Sequence, residues 1–129
     1  MTSDSHESQI DRMQEISELH IKAQENGFWL ETISLTYILI GVEVRILLFQ
    51  KGISETIVAR HRRLRDLTTL AKGRGFIGRN WWEKIQRFEE DKEEAIDQFA
   101  GGEIEYAELE TSARAFTELA LEFHSKYLE

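Results

Sequence analysis

The chain has 129 residues, a formal net charge of −8 and neither cysteine nor proline. That length suits one domain with a proper core, and the missing thiols exclude a disulfide framework, a cysteine nucleophile and a cysteine-ligated zinc. Hydrophobic residues at 41% and aromatics at 10% make it globular rather than disordered, and eight glycines set mostly between periodic segments favour an all-α chain.

Residues 1–8 are polar and read as a disordered tail ahead of one helical domain over 9–129. They lack an apolar signal region, so the expected compartment is the cytoplasm. A first helix is expected from about Glu7 to Glu25, where Ile10, Met13, Ile16, His20 and Ala23 repeat at three- and four-residue steps. Asn26-Gly27 stops it. A second helix, from about Phe28 to Gln50, is apolar nearly all round, which marks it as central or shared with a partner chain. Its longest apolar run, Ile33 to Val42, is short, and Glu43 and Arg45 follow at once. A buried core helix is therefore expected rather than a membrane span.

Ser54 is the expected N-cap of a third helix reaching about Lys72, with Ile57, Leu64, Leu67 and Leu70 inward and arginines outward. Asn80 and Glu83 have the spacing of a capping box, and the fourth helix they open buries Trp81, Ile85, Phe88, Ala95, Ile96 and Phe99. Gly101-Gly102 closes it. The fifth helix, from about Tyr106 to Leu128, carries Leu109, Ala113, Phe116, Ala120, Phe123 and Tyr127 at heptad spacing, so it packs lengthwise in a bundle. The expected fold is a single-domain antiparallel bundle of about five helices.

Charge is unevenly spread. From Arg60 to Arg79 there are seven basic residues against Asp66 alone; from Glu89 to Glu110 there are ten acids against Lys92 alone. Arg60, Arg62, Arg63 and Arg65 are candidate binders of phosphate, nucleotide or RNA backbone, or else salt-bridge partners of the acidic segment. Glu89/Glu93, Glu90/Glu94 and Glu93/Asp97 have helical spacing. Without a Glu-x-x-His partner they read as a solvated face rather than a divalent-metal site. Four scattered histidines, His20 and His124 among them, have no metal spacing. Trp81 and Trp82 stand side by side at a helix start, and either one ring points outward as an interface anchor or both cap the core; Trp81, Trp82, Phe88 and Ile96 are candidate interface residues.

Three stretches carry a family resemblance: AQENGFWLETISLTYILIGVEVRILL, LAKGRGFIG and, most distinctively, FEEDKEEAIDQFAGGEIEYAEL over 88–109. Together they resemble the HEPN superfamily of small helical bundles, across roughly Lys22 to Tyr127. That family's active ribonucleases work without metal or other cofactor. Their motif has an arginine that holds the phosphate and, five positions later, a histidine that moves the proton, usually across a dimer cleft. Here Lys92 and Asp97 stand at those positions, and Glu93 stands where the family has asparagine. Lysine lacks the bidentate fork, and an ordinary carboxylate is a poor proton shuttle at neutral pH. The resemblance thus implies a non-catalytic, homodimeric binding or regulatory module of a prokaryotic defence or stress system. Two alternatives stay open. One is a HEPN-type ribonuclease or toxin component; the other is a helical adaptor docking a basic protein partner through its acidic helix. Neither needs a membrane.

Overall fold

The computed structural model describes residues 2–129, with side chains placed from His6 onward, and it is an all-α bundle. Four long helices carry it: α1 (Thr2–Glu25), α2 (Trp29–Gln50), α5 (Arg79–Ala100) and α6 (Leu109–Tyr127), the last preceded by a 3-10 turn at Tyr106–Glu108. Two short helices, α3 (Glu55–Arg60) and α4 (Leu64–Gly73), lie between α2 and α5. Helix α1 begins ahead of the expected start near Glu7. The tail expected over 1–8 includes Met1, which lies outside the described residues.

The α1–α2 hairpin turns at Gly27, whose φ of 69° needs a residue without a Cβ. Its N–H donates to the Gln24 carbonyl and the Phe28 N–H to that of Ala23, the paired closure that ends many helices. Helix α2 is the axis of the molecule. It packs against α1 and α6 along its length and against α4 and α5 on another side. Ile33, Ile40, Val44 and Leu48 are fully buried. By length and composition α2 could cross a bilayer, yet most of it is covered by its own chain. Tyr37 of α2 meets Phe88 of α5, and Trp81 of α5 meets Phe123 and Tyr127 of α6. The last two contacts set the start of α5 against the end of α6, so those two helices run antiparallel.

The single third helix expected over 54–72 is two. Val58 and Leu64 are both buried, but six residues of continuous helix would set them about 120° apart. The chain solves this by leaving the helix at 61–63 and restarting. Ser54 caps α3 as expected, accepting from the Ile57 N–H at 3.3 Å. His61 closes it, its Nδ1 lying 2.8 Å from the Ile57 carbonyl. Helix α4 then buries Leu64, Leu67, Thr68 and Ala71. The capping box expected at Asn80 is absent. Helix α5 starts two residues earlier, with Gly78 rather than Asn80 at the cap position, and Glu83 instead pairs with Arg79 at 3.0 Å.

Candidate functional site

The candidate site lies where α5 passes Tyr37 of α2 and the junction of α3 with α4. The order of aromatic rings decides its geometry. Phe88 is buried edge-on against Phe116, with ring centroids 4.9 Å apart, and Tyr37 stacks over Phe88 at 6.4 Å. One turn further along α5, the Lys92 ammonium sits 4.2 Å from the centre of the Tyr37 ring, a cation–π contact. Asp97 follows five residues later, about 140° around the helix, and is exposed. The two motif positions therefore do not share a face. Glu93 is exposed one turn from Glu89.

Beside Lys92 opens a cleft of about 380 Å³. Arg63 and Arg65 enter it from the α3–α4 junction, and Glu89, Glu90 and Glu93 enter it from α5. Arg65 Nε donates to Gln86 Oε1 at 3.1 Å, and Gln86 Nε2 donates to Thr68 Oγ1 at 3.1 Å, which ties the two walls at one end. Ion pairs within 4 Å join Arg12–Glu15, Arg79–Glu83, Arg114–Glu110 and His124–Glu129 among the described residues. None crosses this cleft. Glu89 Oε1 is enclosed without a hydrogen-bond partner. Burial pushes the Glu89 carboxyl above the usual range, against the pull of Lys92 and Arg65.

Helix breakage divides the arginine cluster. Arg63 and Arg65 reach the cleft, while Arg60 and Arg62 are exposed outside it. Arg62 supplies its carbonyl to Arg45 Nη2 at 3.5 Å. The expected interface residues also divide. Trp81 and Phe88 are buried inside the chain and so cannot anchor a partner. Trp82 is half-buried, its Nε1 donating to Thr69 Oγ1 at 3.2 Å under the Lys72 ammonium. Ile96 is half-buried too. An apolar strip does reach the surface elsewhere. Leu19 and Ile38 are 49% and 46% exposed, and Leu19, Leu30 and Leu35 line a shallow groove of about 460 Å³ with Glu31 and Ser34.

Two buried polar groups escape a reading of charge and spacing alone. Glu43 is 2% exposed and its Oε1 has no partner. Burial pushes its carboxyl up to about 8. His20 Nε2 lies 2.9 Å from Thr36 Oγ1 and 3.1 Å from Thr117 Oγ1. Each hydroxyl donates its proton to a backbone carbonyl, Thr32 and Ala113 respectively. Both oxygens are then left to accept, which fixes the imidazole proton on Nε2. The signal for this network was polar residues recurring on apolar helix faces, since buried polar groups are nearly always paired.

No protein-family model matches the chain, and no curated protein or solved structure gives a significant match.

Proposed function

We propose that the chain is a non-catalytic HEPN-like module that acts as a homodimer, binding or regulating a partner within a prokaryotic defence or stress system. The observation that carries this reading is the state of the two motif positions. The half-buried Lys92 places its ammonium over the Tyr37 ring, and Asp97 is an exposed carboxylate where the family has an imidazole able to move a proton near neutral pH. Five acids surround them between Glu89 and Glu94, and such a field holds a polyanion away at physiological salt. Support for a second copy comes from the exposed Leu19 and Ile38 and from the apolar groove that Leu19 forms with half-buried Leu30 and Leu35.

A second reading, the adaptor that docks a basic partner, is favoured by one feature. Glu90, Asp91, Glu93, Glu94 and Asp97 are all exposed, and among the described residues no ion pair within 4 Å involves them. Sedimentation velocity at tens of micromolar separates the two. The module reading expects a dimer that Ile38→Glu converts to monomer, and no cleavage of single-stranded RNA. A wild-type monomer would overturn it, as would RNA cleavage abolished by Lys92→Ala.

A further inference from the structure

The outer face of α2 carries a knob and a hollow side by side. Ile38 projects from it, 46% exposed. One turn earlier opens the groove of about 460 Å³ between Leu19 of α1 and Leu30, Glu31, Ser34 and Leu35 of α2. Ser34 and Ile38 are four residues apart and so lie on one side of the helix. A rigid helix cannot fold its own Ile38 into this hollow. A second copy running the opposite way can fill it. A two-fold axis between Ser34 and Ile38 lays each isoleucine over the partner's Ser34, whose small side chain leaves the groove open, and fills both grooves at once.

Charge agrees with this register. Glu31 is exposed at one end of the strip. At the other end Arg45 folds back along the helix, its Nη1 3.3 Å from where a Cβ on Gly41 would stand. The guanidinium therefore lies over Gly41. Residues 31 and 41 are equally far from the midpoint of 34 and 38, so the same axis brings each Glu31 to the partner's Arg45. Among the described residues no ion pair within 4 Å involves either group. Arg45 is half-buried and reaches the Arg62 carbonyl at 3.5 Å; a guanidinium with so long a hydrogen bond gains from a carboxylate.

We propose that α2 pairs antiparallel with α2 of a second copy of this chain, Ile38 filling the partner's groove and Glu31 pairing with the partner's Arg45. This deepens the homodimer reading and rests on it.

The test is sedimentation of charge-reversed chains, alone and mixed. Glu31→Arg sets arginine against arginine, and Arg45→Glu sets glutamate against glutamate, twice over in a symmetric dimer. Each alone is expected to dimerise about tenfold or more weakly than wild type. Mixed in equal amounts the two restore both attractive pairs, and a dimer of near wild-type affinity is expected. Ser34→Arg, at an exposed position, tests the axis without touching half-buried Arg45. It fills the groove and is expected to give a monomer whose helicity by circular dichroism matches wild type. A dimer that Ser34→Arg or Glu31→Arg leaves intact overturns this pairing but not the homodimer reading. So does a mixture of the two folded charge variants that stays monomeric. A wild-type monomer overturns both and leaves the groove to a different partner.

Discussion

His20 and Glu43 are both ionisable side chains sealed inside a helical bundle, and they are handled in opposite ways. His20 faces two threonine hydroxyls, one on α2 and one on α6, whose own protons are already committed. Its burial lowers the affinity for a proton, and the neutral ring fits the acceptors around it. Glu43 has an oxygen with nothing to bond, and burial alone raises its pKa to about 8. The lesson is that burial in itself says little about the worth of a polar group. A paired group tightens one arrangement of helices, whereas an orphaned one is a standing debit on stability.

The sharpest way to break this comparison is pH. A carboxyl whose folded pKa lies above its unfolded value of 4.5 gives stability that is full below the unfolded pKa and lost as pH rises towards 8. A histidine with a depressed folded pKa has the opposite sign, and its contribution is lost as pH falls below the unfolded value of 6.5. Between 6.5 and 8 only the Glu43 slope remains of the two, at about 1.4 kcal/mol per pH unit. Urea unfolding should therefore show wild-type stability falling by about 2 kcal/mol across that window, while Glu43→Gln stays nearly flat. Equal slopes in both proteins would show that Glu43 is not the buried acid described here.

A smaller effect is expected from the other partner in the comparison. Thr36→Val with Thr117→Val keeps volume but leaves the His20 Nε2–H without an acceptor, a loss of about 1–3 kcal/mol. Either substitution alone leaves one hydroxyl in place and should cost clearly less than half of that sum, so a double-mutant cycle should report coupling between the two sites. Strict additivity would mean that the histidine does not bridge them. The smallest effect sets the scale for polar pairs in water. Arg79 and Glu83 lie 3.0 Å apart on the surface of α5, and Arg79→Ala should change the unfolding free energy by less than about 0.5 kcal/mol.

Apolar periodicity made most of the bundle legible. The stripes of α1, α2, α5 and α6 follow residues whose burial the structure repeats, from Ile16 and Ile33 to Ile85 and Phe123. Periodicity did not reveal the break at 61–63. Nothing in that stretch is a proline or glycine, and the interruption arises because Val58 and Leu64 must both face inward. The cleft was invisible for the same reason. The basic and acidic blocks were plain as blocks, but their meeting across an unfilled gap depends on where α4 lands after the break. At the tryptophan pair, the apolar stripe of the helix put Trp81 inward and left the place of Trp82 open. Trp81 went in, meeting Phe123 and Tyr127. Phe88 looked available to a partner because an apolar residue on an acidic helix can serve either surface, and the rings of Tyr37 and Phe116 claimed it first.

The split between α3 and α4 also sets how firmly each arginine of the cleft is mounted. Helix α3 is six residues long and anchors through one buried side chain, Val58, whereas α4 is fastened by Leu64, Leu67, Thr68 and Ala71. Free energies of local opening follow such anchorage and span the range from near zero up to that of global unfolding. Arg65 belongs to the well-fastened unit and is clasped by Gln86; Arg63 stands at the seam between the two. One wall of the cleft thus joins a guanidinium fixed on α4 to one at the seam between two helices of unequal anchorage.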